Sequence, residues 1–235
     1  MRLSINSIYK ATEGEGVLVG SPQIFIRFQG CNIGCINCDS KDTWDFLEKG
    51  NITLEETLEK LKDLGGEKIK RVSITGGDPL HPSLINQTLK LVKELKARRY
   101  WVNIEAAGTR LPHELFDQVD FISFDYKTPS TGVKTNQALL KKLIEQYPGR
   151  HQIKSVVAHQ EDFDNAYKSL INMYGEEDSL HLNSVWVITP CYEPNEEFNQ
   201  QRFQEILKWN EDKGGPFRVI GQQHKWVYGP SEKQV

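Results

Sequence analysis

The sequence predicts an α/β fold: one domain on a mostly parallel sheet, either open or curled into a partial barrel. Three observations carry this expectation. Short β-rich runs alternate with amphipathic helical stretches, the pattern of βαβ units. Six or seven strand-like runs fall within 235 residues that show no internal repeat, low-complexity tract or Pro/Ser-rich linker, so residues 1–235 read as a single domain. The chemically distinctive residues collect at the carboxyl ends of those runs, where ligands gather in such folds.

Residues 23–28 (QIFIRF) read as a strand that runs into a loop with three cysteines. Residues 53–64 read as a helix: Thr53 and Glu56 have capping-box spacing, Leu54, Leu58, Leu61 and Leu64 share a face, and Gly65 and Gly66 end it. Residues 71–75 (RVSIT) form a strand closing at Gly76 and Gly77. Residues 83–98 are the clearest helix, with Leu84, Leu91 and Leu95 on one side. Further strands are expected at 100–105, 121–126, 152–157, 184–189 and 217–220, with helices around 136–146, 162–174 and 196–209. Cys31 follows the first strand and Gly76-Gly77-Asp78 the second; Glu105 closes the third, Asp125 and Lys127 the fourth. That coincidence points to one site.

Lys and Arg number 29 against 32 Asp and Glu, a net charge of −3. A broad nucleic-acid footprint would need a basic excess. Ten Phe, five Trp and eight Tyr supply a core and argue against disorder. No apolar run approaches the roughly 18 residues of a membrane helix, and the start MRLSINSIYK lacks a signal-peptide stretch. A soluble, cytoplasmic chain is expected, with no membrane or nucleic-acid partner. Four cysteines are too sparse for a disulfide scaffold.

Cys31, Cys35 and Cys38 lie within eight residues, Cys191 far along the chain. A structural zinc site takes four ligands, typically as two separated pairs; the second pair is missing, and Cys191 would have to arrive alone. Three thiolates suit a four-iron cluster with one iron open to an exogenous ligand. Chance grouping is the remaining alternative. The histidines other than His224 (His81, His113, His151, His159 and His181) form no ligand-spaced pair and are expected on loops and surfaces.

With Gly76-Gly77-Asp78-Pro79 after the next strand, the cysteine loop resembles the radical S-adenosylmethionine (SAM) superfamily. In that superfamily a CxxxCxxC loop holds a 4Fe-4S cluster and a Gly-Gly-Glu motif seats the methionyl group of SAM. The resemblance implies a radical SAM partial (β/α)6-type barrel. Asp78 stands where the superfamily usually has Glu. Residues 11–16 (ATEGEG), 25–31 (FIRFQGC), 38–40 and 43–45, then Glu105-Ala106-Ala107-Gly108-Thr109, Asp125-Tyr126-Lys127, Thr189-Pro190 and Gln222-Gln223-His224-Lys225, resemble the 7-carboxy-7-deazaguanine synthase family of queuosine and deazapurine biosynthesis.

That resemblance implies a lyase reaction: 6-carboxy-5,6,7,8-tetrahydropterin contracts to 7-carboxy-7-deazaguanine with loss of ammonia, and SAM acts catalytically. It implies cluster ligation by Cys31, Cys35 and Cys38, and a hydroxyl ligand to Mg2+ at Ser40. SAM contacts are implied for Asn37, Asp39, Gly76, Gly77, Asp78, Glu105, Asp125, Lys127, Thr189 and Pro190. Substrate contacts are implied for Thr12, Glu13, Gly14, Glu15, Arg27, Thr75, His224 and Pro230. The radical is carried by SAM, so no protein side chain is assigned as catalytic. A flavodoxin-like or ferredoxin-like electron donor and a homodimer are also implied.

The residue types fit that chemistry. An inward-facing Arg27 is costly unless paired, and its fork matches a carboxylate bidentately; the alternative is a bridge to a structural Asp or Glu. Glu13, Gly14 and Glu15 could meet the pterin's guanidine-like edge, or form a solvated turn. The family usually has Gln at the position of Glu13. Ser40 offers a hard oxygen to Mg2+, or a helix cap. Asp125 and Lys127 could equally be a surface ion pair. The C-terminal tail is expected to close the site, with the apolar stretch Trp226-Val227-Tyr228 packed over the barrel mouth. Two rival functions remain at this level: an activase that makes a glycyl radical on another protein, and a zinc-stabilised binding module.

Overall fold

The computed structural model describes residues 1–46, 51–175, 185–192, 198–229 and 231–235. Its strands are β1 (Arg2–Thr12), β2 (Pro22–Phe28), β3 (Asn51–Thr53), β4 (Arg71–Gly76), β5 (Trp101–Ala106), β6 (Phe121–Tyr126), β7 (His151–Val157), β8 (Trp186–Pro190) and β9 (Arg218–Val219). The helices are α1 (Leu54–Leu61), α2 (Ile85–Ala97), α3 (His113–Phe116), α4 (Gln137–Gln146), α5 (Gln160–Tyr174), α6 (Gln200–Asp212) and α7 (Gln223–Tyr228).

One nine-stranded open sheet runs in the order β3-β1-β2-β4-β5-β6-β7-β8-β9. From β2 to β9 every pairing is parallel, and β1 is antiparallel to both of its neighbours. Helices fall between the parallel strands in sequence, so each crossover is long enough to bring the chain back to the same end. Strands buried on both faces read as apolar runs: Ile24 and Ile26 of β2, Val72 and Ile74 of β4, Val102 and Ile104 of β5 and Ile188 of β8 are fully buried. Near the β9 edge, Trp186 packs against Tyr126 and Phe217, with ring centroids 5.2 and 5.8 Å away. Its indole N–H donates to Ser155 Oγ at 2.8 Å, so the buried donor is satisfied.

The expected elements are present with small shifts at their ends. Thr53 and Glu56 form the capping box in both directions, but α1 ends at Leu61 and residues Lys62–Gly66 make a wider turn with Gly65 at φ 100°. Residue 184 of the sixth expected strand, seen as β8, and residues 196 and 197 of the last expected helix lie outside the described residues. Two strands were not expected. In β1 a bulge between Ile5 and Ser7 breaks the period-2 alternation, so its apolar positions shift face midway. β3 has three residues and exists through pairing with β1, Leu3 opposite Ile52. His151, expected at the surface, opens β7 and is buried, its Nδ1 2.8 Å from the Tyr147 carbonyl oxygen; burial lowers its pKa. His181 lies outside the described residues.

No helix among the described residues is long and apolar enough to cross a membrane. The start of α5 shows how loops at the site end of the sheet are fixed. Asp162 is 1% exposed and accepts from the Ala158 and His159 N–H groups at 2.9 and 3.3 Å and from the Ser130 N–H at 2.9 Å. Asp162→Ala would leave those donors unpaired, and the expected loss is about 3 kcal/mol. Equilibrium denaturation, with the midpoint lowered and the slope unchanged, checks this. A midpoint unmoved by the substitution would show that the cap is dispensable.

Candidate functional site

Two glycines stitch the second and first parallel strands together where the cysteine loop begins. Gly76 adopts φ 131°, and a Cβ there would stand 2.3 Å from the Phe28 nitrogen; one on Gly77 would stand 2.3 Å from the Gly30 oxygen. The close approach is used: Gly77 N–H donates to Phe28 O at 3.0 Å and Asp78 N–H to Gly30 O at 2.8 Å. Opposite, Gly30 N–H donates to Thr43 O and Cys31 N–H to Trp44 O, while the Gln29 amide donates to the Asp42 and Asp45 carbonyls. Ile36 N–H reaches Thr131 O at 3.0 Å, which ties the loop to the segment after β6.

Cys31, Cys35 and Cys38 are free and half-buried. Burial pushes the Cys31 thiol up, and the nearby Asp78, Cys35 and Cys38 add to the rise. Burial also raises Cys35, with Lys127 pulling it down and Asp125 and Cys38 pushing it up. The three sulfurs lie in one another's fields, and Cys31 and Cys35 resist ionisation until a cation draws off the proton. Among the described residues no three His, Cys, Asp or Glu side chains close around the position of a single ion. Thiolates on one zinc stand about 3.8 Å apart, whereas a four-iron cluster spreads its donors over separate irons. The donor set fits the wider group. Cys191 is buried past the end of β8, its Sγ 3.9 Å from Asn37 Nδ2.

Beside this loop the sheet interior holds a ring of charge. Arg27 donates to Ser40 Oγ at 3.1 Å and Tyr9 OH at 3.3 Å, and Ser40 donates to Asp39 Oδ1 at 2.9 Å. Burial opposes the Arg27 charge, yet Tyr9, Glu105 and Asp39 keep its pKa above the usual value. Among the described residues no carboxylate lies within ion-pair distance of it, so the structural bridge weighed for Arg27 is not made. Glu105 accepts from Thr75 Oγ1 at 2.7 Å. Glu13 is buried and accepts from Gln23 Nε2 at 2.6 Å and from the Glu15 N–H at 3.2 Å. Burial, then the fields of Glu105 and Glu15, push its pKa up to about 8. Glu13 and Glu15 thus belong to the interior and not to a solvated turn.

Glu15 behaves oppositely. Burial would raise its pKa, but Lys154 at 2.9 Å and the Gln222 amide hold it down at about 2. Lys154, inward on β7, keeps its charge well above the usual range against burial because Glu15, Asp125 and Glu105 surround it. Neither Lys154 nor Gln23 was singled out from the sequence. A lone Lys within the apolar run HQIKSVV was the available signal, the same argument that singles out Arg27.

The remaining expected residues divide. Lys127 pairs with Asp125 at 2.8 Å, near Cys35 rather than at the surface. Asp78 is fully buried with both oxygens engaged, Oδ2 by Arg110 at 2.6 Å and Oδ1 by the Leu80 N–H at 3.1 Å. Thr189 and Pro190 end β8, and Thr189 Oγ1 is buried without a hydrogen-bond partner among the described residues. Thr12 ends β1 and is exposed.

At the C-terminus, Gln223 N–H donates to Gly14 O at 2.9 Å, and the His224 ring lies so close that a Cβ on Gly14 would stand 2.1 Å from Nδ1. Burial lowers the His224 pKa. The expected apolar cover is corrected: Val227 and Tyr228 are 64% and 54% exposed. Trp226 turns away over Gly221 and against Phe198 at 5.4 Å and Phe203 at 5.9 Å. The Gly14 loop is met at the start of α7, by the Gln223 N–H and the His224 ring, and does not extend to Val227 and Tyr228 at its end. Pro230 lies outside the described residues; Lys233 beyond it pairs with Asp42 at 3.1 Å.

Residues 12–122 match the family model described as a 4Fe-4S single cluster domain. The chain is 36% identical over 160 residues to the 7-carboxy-7-deazaguanine synthase of Bacillus cereus, a match covering 66% of each chain. It is 35% identical over 126 residues to that of Escherichia coli K12, across 46% of this chain and 55% of the relative. It is 29% identical over 231 residues to that of Pyrobaculum aerophilum, across 97% and 96%. The chain thus spans a little under two thirds of the Bacillus relative and nearly all of the Pyrobaculum one. In fold it is similar to E. coli QueE, with a TM-score of 0.70 at 23% identity over 95% of both chains. Streptococcus suis SuiB bound to S-adenosylmethionine matches at a TM-score of 0.55 and 14% identity, over 86% of this chain and 51% of that one. These matches do not favour a glycyl-radical activase or a zinc module.

Removing Lys154 leaves the half-buried Glu15 without its cation. Lys154→Ala should cost about 3–5 kcal/mol at neutral pH. Glu15 has a depressed folded pKa, so its contribution is complete above its unfolded value near 4.5 and is lost as pH falls toward about 2. The gap between wild type and variant should narrow across that window in denaturation measured at stepped pH. A pH-independent gap would place the loss in packing alone.

Proposed function

We infer that this chain, a relative of the 7-carboxy-7-deazaguanine synthases, contracts the ring of 6-carboxy-5,6,7,8-tetrahydropterin to 7-carboxy-7-deazaguanine with release of ammonia. The observation that carries the reading is Arg27: a half-buried guanidinium without a carboxylate partner among the described residues, beside the three-thiol loop. Such a fork is complementary to a substrate carboxylate.

The 4Fe-4S cluster and SAM supply reductive one-electron chemistry that starts hydrogen abstraction from the substrate. Cys31, Cys35 and Cys38 hold the cluster. Gly76 and Gly77, with no side chain to obstruct it, leave backbone groups for the methionyl end of SAM. Asp78 contributes through Arg110, since both of its own oxygens are taken. Asn37, Asp39, Glu105, Asp125, Lys127, Thr189 and Pro190 border the rest of SAM, and the buried Thr189 hydroxyl, without a partner among the described residues, bonds it.

Arg27 fixes the pterin carboxylate, and ionised Glu15 accepts from the guanidine-like edge. Thr12, Glu13, Gly14, Thr75 and His224 frame the ring. Ser40, a hard oxygen already between Arg27 and Asp39, is the protein ligand for Mg2+, which commonly keeps waters and substrate oxygens in its remaining positions. The C-terminal segment, seated on Gly14 and Glu15 through Gln222 and His224, closes the site and limits water access. A flavodoxin-like or ferredoxin-like protein delivers the electron, and the enzyme works as a cytoplasmic homodimer.

The test is anaerobic reconstitution with iron and sulfide, followed by carboxytetrahydropterin, SAM, Mg2+ and a reductant. A deazaguanine chromophore is the expected product; a protein that takes up no iron, or cleaves SAM without converting the pterin, would refute the reading. Arg27→Ala should raise the pterin KM roughly 10- to 150-fold, the equivalent of about 1.5–3 kcal/mol. Basal SAM cleavage with dithionite should persist. An unchanged KM would make Arg27 structural.

A further inference from the structure

Three carboxyl groups, Glu13, Glu15 and Glu105, share an interior with two cations, Arg27 and Lys154. Lys154 is committed to Glu15 at 2.9 Å. Glu105 accepts from Thr75 at 2.7 Å and Ser73 at 3.5 Å and lies in the field of Arg27. Glu13 has no such partner: among the described residues no Lys, Arg or His stands within ion-pair distance of it. At 7% exposure, an ionised Glu13 would be a buried charge repelled by two others.

The contact with Gln23 points the same way. Its 2.6 Å separation suits an O–H···O bond better than an N–H···O bond. Gln23 Oε1 is buried with no hydrogen-bond partner among the described residues. Turned by half a rotation, the amide offers that orphaned oxygen to a protonated Glu13 in the ligand-free chain; when a pterin carbonyl takes over the single O–H, the amide turns back and donates its N–H to the carboxyl.

We propose that Glu13 serves the site as a neutral carboxylic acid, its O–H donating to the ring carbonyl of the pterin while ionised Glu15, held by Lys154, accepts from the adjacent N–H groups. This rests on the proposed function and goes beyond it by dividing the two carboxyls into a donor and an acceptor. The lactam–amidine edge of a pterin presents a carbonyl oxygen next to N–H groups, and two ionised carboxylates would meet that oxygen with repulsion. A protonated Glu also accounts for Glu13 where the family has Gln: an amide N–H and an acid O–H both donate. The electrostatics agree in direction. Burial, Glu105 and Glu15 push Glu13 up to about 8, with Lys154 opposing. The other groups facing this corner are Tyr9, raised by burial, and His224, lowered by it, and both are uncharged near neutral pH.

The test uses the full chain, wild type and Glu13→Gln. Infrared difference spectra of the ligand-free proteins should show a carboxylic-acid C=O band near neutral pH that disappears as the pH passes through about 8. Anaerobic binding of 6-carboxytetrahydropterin without SAM should weaken about tenfold in wild type relative to the variant between about pH 7 and pH 9, as the competent fraction falls by that factor. Taking the ratio cancels the ligand's own titration. No acid band near neutral pH, or affinities that run parallel with pH, overturns the proposal. An acid band with no pterin binding by either protein overturns the substrate reading, and the donor role with it, while leaving Glu13 neutral.

Discussion

Charge placed inside a parallel sheet has to be answered from inside it, because strands covered on both faces give water no access. Lys154 on β7 meets that constraint by drawing the Glu15 carboxylate inward to 2.9 Å. Much of the site's shape follows from that pair. Glu15 belongs to the loop after β1, so the pair brings the antiparallel edge of the molecule over the parallel strands. Gln222 bonds the same carboxylate, so the C-terminal segment is recruited to it as well. One ion pair therefore joins three parts of the chain that are far apart in sequence.

The second organising contact is made by backbone. Gly76 and Gly77 approach Phe28 and Gly30 more closely than any side chain allows, and the hydrogen bonds formed there fix where the cysteine loop leaves β2. The loop's sulfurs and the charged interior are consequently neighbours: Lys127 lies near Cys35, and Asp78 near Cys31. Asp78 illustrates how a shorter side chain is accommodated. Arg110 and the Leu80 N–H take up its oxygens, so the carboxylate is retained as a buried, satisfied group.

Burial sorts otherwise similar residues into different chemical states. Glu13 and Glu15 are separated by one glycine, yet their pKa values are driven to about 8 and about 2. Lys154 and the Gln222 amide bond Glu15 directly, whereas Lys154 reaches Glu13 only through its field and is outweighed there by burial, Glu105 and Glu15. A corner with one neutral and one ionised carboxyl can offer a donor and an acceptor side by side, which two identical groups in water could not.

Most of the fold was legible in the sequence because its signals are local. The apolar runs QIFIRF and RVSIT, the Thr53–Glu56 cap and the glycine stops depend on residues a few positions apart, and they mark the parallel strands and their crossovers. The cysteine spacing and the Gly-Gly-Asp turn were legible for the same reason. What the sequence could not supply was the set of contacts closed across long separations. β1 is bulged and β3 is three residues long, so both are defined by pairing and not by pattern. The inward Lys154 was visible as an oddity, but its partner lies 139 residues away. The exposure of Val227 and Tyr228 likewise depends on how far along α7 the Gly14 loop reaches. The sequence by itself determined the elements and the chemistry-bearing loops; the tertiary structure decided which charges are paired and which carboxyl keeps its proton, because both depend on burial and on distances that only the closed chain defines.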